Sequence, residues 1–143
     1  MDPLEALQQG SRILEPVLAP AGFVFTLVGS GKSSGGHFAA GAFTKGTRRL
    51  ELHFRFSLGL VSYSVGAASL SHSDYMRALG CRKEAAYPGF SADPLDGFRH
   101  LASDLERFGD EFLRGTDQQF VVRAEWVANH PEPKGFATME GDI

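Results

Sequence analysis

One cysteine, Cys81, among 143 residues excludes an internal disulfide and a thiolate metal cluster within one chain. Excess charge is also scarce. Fourteen Lys and Arg against 17 Asp and Glu leave a net charge of −3, too little for a basic field that draws nucleic acid and too little for an acidic mimic of it. No apolar run is long enough to span a bilayer. The opening "MDPLEALQQG" has neither the basic start nor the apolar stretch of a signal peptide. These absences, with a lone thiol that suits a reducing compartment, predict a cytoplasmic protein with no membrane and no nucleic-acid partner. The five histidines, His37, His53, His72, His100 and His130, form no H-x-x-x-H or H-E-x-x-H pair, so no metal or other cofactor is expected.

What is present suits one compact domain, residues 1–143: 43% hydrophobic and 22% charged residues are enough to build a core without covalent or metal staples. In "DPLEALQQGSRILEPVLAP", Asp2 serves as N-cap and Pro3 as first helical residue, with Leu4, Leu7, Leu14 and Leu18 near one face. Gly10 weakens this helix, and Pro16 is expected to kink it or end it early. Four β segments follow: "GFVFTLVG", "GHFAAGAFT", "TRRLELHFRFSLG" and "LVSYSVG". The third alternates most clearly, with Leu50, Leu52, Phe54, Phe56 and Leu58 on one side and Arg49, Glu51, His53, Arg55 and Ser57 on the other. The connections "TKGT" and "LGL" favour hairpins between antiparallel neighbours.

After Ala68 the period becomes helical. "SHSDYMRALG" offers Ser71 or Ser73 as N-cap and Gly80 as stop. "CRKEAAYPGFSA" reads as a loop. "DPLDGFRHLASDLERFGDEFLRG" reads as one long helix capped by Asp93, with Leu95, Phe98, Leu101, Leu105, Phe108 and Phe112 on its apolar stripe. "TDQQFVVRAEWVANH" fits a short helix packing Phe120, Ala124 and Val127, or a strand through Phe120 to Val122, the second half favouring helix. Residues 131–143 are expected to be loosely ordered. Strands grouped between helices argue α+β: an N-terminal helix, a four-stranded antiparallel meander, then two or three helices on one sheet face.

The stretch "GSGKSS" invites comparison with a nucleotide-binding loop. That loop needs a first glycine at position 26, where Thr26 stands, and a helix after Ser33, where "GGHFAAGAF" returns to a β pattern. It reads instead as a flexible hairpin tip with Lys32 exposed, so no nucleotide site is expected. Cys81 precedes Arg82 and Lys83, which favour its thiolate, but no catalytic partner accompanies it. The acidic residues Asp104, Glu106, Asp110 and Glu111 alternate with Arg99, Arg107 and Arg114 and read as a solvated helix face.

Two constellations remain. Arg49, His53 and Arg55 line up along the polar side of one strand, suited to an acidic partner, although an ordinary solvated sheet face looks the same. His72, Asp74 and Tyr75 gather at a helix entry, where His72 can act as acid–base, Tyr75 as donor and Asp74 as orienting group beside a pocket. Helix capping explains them equally well.

The order of segments carries a resemblance. "LAPAGFVF" (Leu18 to Phe25), a β-meander, "SHSDYMRAL" and "YPGFSADPLDGF" (Tyr87 to Phe98) resemble small bacterial domains of unknown function, some of which are similar to immunity proteins of toxin systems. The likeness covers roughly residues 4 to 80 and the second segment, through turns, caps and apolar stripes rather than active residues. With no complete catalytic constellation in the chain, it supports a non-enzymatic domain that binds a protein such as a toxin; the two constellations supply the candidate binding residues, Arg49, His53, Arg55, His72, Asp74 and Tyr75. A small enzyme or ligand-binding protein with a pocket at residues 71–79 is the alternative, and association of identical chains through an edge strand is a third.

Overall fold

The computed structural model describes residues 1–132; the tail from 133 onward, expected to be loosely ordered, lies outside them. Its first helix, α1 (Pro3–Leu18), starts where the cap chemistry places it, with Asp2 accepting the Glu5 N–H at 2.9 Å and Pro3 occupying the first turn. Pro16 does not end the helix. Only the bond to the carbonyl one turn back is lost this close to the C-terminus, and the burial of Leu14 and Leu18 holds the last turn. A 3₁₀ turn at Ala19–Ala21 then reverses the chain through Gly22, whose φ of 99° suits a residue without Cβ.

The sheet has five strands in simple meander order: β1 (Val24–Ser33), β2 (Gly36–Lys45), β3 (Arg48–Phe54), β4 (Leu58–Val65) and β5 (Ala68–Ser71), all antiparallel. Four are expected from the sequence pattern. The fifth is a four-residue strand formed because Gly66, at φ 59°, turns the chain back on β4. Its last residue, Ser71, accepts the Asp74 N–H at 3.1 Å and caps the next helix, α2 (His72–Ala78). Strand and cap share one serine, so helical periodicity hides the strand.

The expected inward row of the third segment also breaks. Leu50, Leu52 and Phe54 are buried, but Arg55–Ser57 forms the turn, with the Arg55 N–H bonded to the Ser57 carbonyl at 3.2 Å. Phe56 is thrown outward, 82% exposed, and Leu58 enters the core from β4. "LGL" is therefore not a turn; Gly59 lies within β4.

The long late helix is two. α3 (Asp96–Phe108) gives way at Gly109 to α4 (Asp110–Arg114), where a Cβ at Gly109 would meet the Leu105 carbonyl oxygen at 2.7 Å. Asp93 does not cap α3; its side chain accepts the Leu95 N–H in the preceding turn. Phe98, Leu101, Leu105 and Phe112 of the apolar stripe are buried, whereas Phe108 is half-buried. α5 (Asp117–Asn129) is helical throughout, because Thr116 and Gln119 form a capping box one residue upstream. Four helices thus follow the sheet, not two or three. α1 packs on β2 and β3, α2 on β4, and α5 on β4 and β5, while α3 lies on α1.

Arg48 fixes the late helices to the sheet. It lies on the buried side of β3 and donates to the Phe112 carbonyl at 2.8 Å, to the Gly115 carbonyl, and to Asp117 at 3.1 Å. Lys45 donates to the Leu113 carbonyl at 2.7 Å. Both cations meet the carbonyl end of α4, where they complement the helix dipole.

Gly10 is explained by the α1–α3 crossing: a Cβ there would sit 2.4 Å from the Phe98 ring. Helix propensity alone predicts that Gly10→Ala stabilises by about 1 kcal/mol. The packing predicts a loss of about 1–3 kcal/mol in urea unfolding, partly recovered by adding Phe98→Leu.

Candidate functional site

The densest polar group in the core is built around Asp104 of α3. Its carboxylate, 0% exposed, accepts from His72 Nε2 at 2.9 Å, from the Ala86 N–H at 2.6 Å, from the Tyr87 N–H at 2.9 Å and from Arg107 at 3.3 Å. His72, 3% exposed, meets the Tyr63 hydroxyl at 2.7 Å through Nδ1. With its proton on Nε2, the imidazole donates to Asp104 and accepts the Tyr63 O–H, so every strong polar atom of the trio has a partner. Residues from β4, α2, α3 and the 85–87 loop meet here because Ser71 starts α2 at His72 and the α3 register turns Asp104 inward.

Burial pushes the Asp104 carboxyl up, but the hydrogen bonds from His72, Ala86 and Tyr87 outweigh it and hold the group below its ordinary value of 3.8. Burial drives the Tyr63 hydroxyl well above its usual range, with Tyr75 and Asp104 adding to it. Burial also raises Tyr87, to about 12, and its hydroxyl donates to the Leu58 carbonyl at 2.6 Å. Acid–base work needs a group poised near neutral pH with a free face toward substrate. Here the phenols are held neutral and the imidazole has both nitrogens engaged. The trio has the composition of a catalytic relay and the wiring of a structural clamp.

A cavity of about 270 Å³ lies beside it, lined by His72, Ser73, Met76, Arg82, Ala85 and Tyr87 among others. The three residues singled out at this helix entry part company. His72 faces the core. Asp74 is half-buried and lies 3.5 Å from Arg77. Tyr75 is buried against Tyr63, Phe112 and Phe120, and its hydroxyl has no hydrogen-bond partner among the described residues. The partners His72 takes instead, Tyr63 and Asp104, come from nine and 32 residues away, and no local spacing announces them. Asp104 carried one sequence signal: it is the acidic residue three positions after Leu101 on the apolar stripe, yet it was read as part of a solvated face. Cys81 is buried with Sγ 3.7 Å from Met76 Sδ. Burial and then Glu84 raise its pKa, against the expectation that Arg82 and Lys83 favour the thiolate.

Arg49, His53 and Arg55 do share the sheet face away from the helices, but each is engaged. Arg49 pairs with Glu51 at 2.8 Å, and the His53 ring stacks on Phe38 with centroids 5.5 Å apart. Arg55 lies over the Phe38 ring and donates to the Gly36 carbonyl at 2.8 Å, tying β3 to the β1–β2 hairpin. At this end of the sheet is a cleft of about 680 Å³ walled by Leu4, Ser30, His37, Phe38, Arg55 and Phe56, with the start of α1. The "GSGKSS" stretch is not a loop. Gly29–Ser33 is paired strand, Lys32 opposite His37 and Ser33 opposite Gly36, and the turn is confined to Ser34 and Gly35. No helix follows it, so the phosphate-cradling geometry is missing.

Among the described residues no group of three His, Cys, Asp or Glu side chains could hold a metal ion, and no helix is long and apolar enough to cross a membrane. Comparison with family models, curated proteins and solved structures returns no match to this chain.

The clamp makes a pH-dependent prediction. Because the folded-state pKa of Asp104 is depressed, its stabilisation is present above 3.8 and is lost as pH falls through the lower folded value. Asp104→Asn should cost about 2–3 kcal/mol in urea unfolding at neutral pH, with the deficit relative to wild type shrinking in strong acid.

Proposed function

We propose that this chain is a non-enzymatic, cytoplasmic protein-binding domain whose contact surface is the cleft at the hairpin end of the sheet. One observation carries the reading. Phe56 stands 82% exposed at the cleft wall, beside an Arg55 guanidinium held over Phe38, while the His72–Asp104 group is closed on itself. An exposed aromatic next to an ordered arginine is the composition of a binding hot spot. Arg55 and His37 line the cleft, with Asp2 as the acidic group in its wall, so the partner that fits presents an apolar side chain beside a carboxylate. A toxin neutralised by this domain is the particular partner that the resemblance to immunity proteins supports.

A second reading keeps the 270 Å³ cavity beside His72 as a small-ligand pocket. Its polar wall is consumed by internal bonds, which favours the first.

Phe56 is 82% exposed, so Phe56→Asp should leave stability within about 0.5 kcal/mol of wild type. The protein recovered from native-host extract by the wild-type chain should bind Phe56→Asp at least about tenfold more weakly and bind Arg114→Glu, on α4, unchanged. Equal retention by Phe56→Asp, or the absence of any recovered protein, contradicts the proposal. For the immunity reading, co-expression of this chain should relieve the toxicity of the recovered partner.

A further inference from the structure

Among the described residues β1 ends the sheet on one side and pairs only with β2. A strand in that position presents its alternate N–H and C=O groups to whatever lies beyond it, and native sheets usually blunt such an edge with charge, proline or a covering element. The opposite edge follows the rule: β5 is four residues long and packs against α2 and α5. β1 carries one milder device, the register shift between Leu27 and Gly29, but from Val24 to Gly31 it has no ionisable residue and no proline. Its apolar side chains are exposed too: Val24 by 66%, Val28 by 56% and Leu27 by 43%.

We infer that β1 is a self-association edge, along which two copies of this chain pair antiparallel about a twofold axis and join their sheets into one of ten strands. Three features select a second copy over a foreign strand. Antiparallel pairing about a twofold is self-complementary, so the outward-facing donors of one β1 meet acceptors of the other on either side of the register shift. The edge is neutral on a chain of net charge −3, so two copies meet here without like-charge contact. A charged foreign segment, in contrast, finds only Lys32 to pair with along the strand. Apolar Val24, Leu27 and Val28 are best covered by an equally apolar strand, and β1 supplies it. This pairing shares Ser30 and Gly31 with the cleft wall but makes no use of Phe56 or of a foreign partner.

The test uses the purified chain alone in sedimentation equilibrium, from low to high micromolar concentration. Wild type should sediment as a monomer–dimer equilibrium. Val28→Lys and Val28→Glu should each raise the dimer dissociation constant more than about tenfold, since like charges then face each other across the axis. An equimolar mixture of the two variants should restore the dimer, which a misfolded variant could not do; Val24→Lys gives a second probe of the same edge. A wild-type chain that stays monomeric throughout, or a dimer indifferent to Val28→Lys, overturns the inference. Loss of the foreign partner in Phe56→Asp with the dimer intact separates the two proposals, as does the converse.

Discussion

A carboxylate with no exposure to water is tolerated only when its lone pairs are filled, and Asp104 satisfies that condition with donors from α2, from the 86–87 backbone and from Arg107 on its own helix. The rest of the helical layer is arranged around this requirement. His72 must lead α2 directly out of β5, the 85–87 backbone must fold back over α3, and Tyr63 must point inward from β4. Leaving one donor unmade would cost about 1–3 kcal/mol, a sizeable part of a domain's net stability. The clamp therefore ties α2 and the 85–87 loop to α3 through one carboxylate.

The same constraint separates structure from function in this molecule. Histidine, aspartate and tyrosine in mutual contact form a familiar catalytic set, but chemistry requires one member to face a substrate and to titrate in a useful range. Here the directions run the other way: the carboxyl is held low by its donors, and the phenols are held high by burial. Three exposed features bear on the proposals: the cleft at the hairpin end, the exposed Phe56, and the edge of β1. All three gather on the β1–β2–β3 side of the sheet, away from the clamp.

Legibility in the sequence tracked how local each determinant is. Asp2, Ser71 and Gly80 act within a few residues of their own position, and the α1 start, the α2 cap and its stop were readable. The alternation Leu50, Leu52, Phe54 located β3, because one buried face imposes a period of two. The same alternation misled at Phe56, where a turn ends the strand and reverses the side chain. β5 was hidden by its four-residue length, and the break at Gly109 by an apolar stripe that continues across it into Phe112. The clamp was half legible. His72 stands out at the helix entry, but its partners are set by tertiary packing across nine and 32 residues, and neighbouring Asp74 and Tyr75 do not bond to it.

The central claim is that Asp104 welds an irregular loop into the core, and the amides of Ala86 and Tyr87 report on it directly. Both lie in a segment without helix or strand, where amides ordinarily exchange with solvent through small local openings. If the clamp holds, native-state hydrogen exchange should show these two amides protected to the level of the β4 core amides, exchanging only through global unfolding. Rapid exchange at Ala86 and Tyr87, with β4 still protected, would contradict the account.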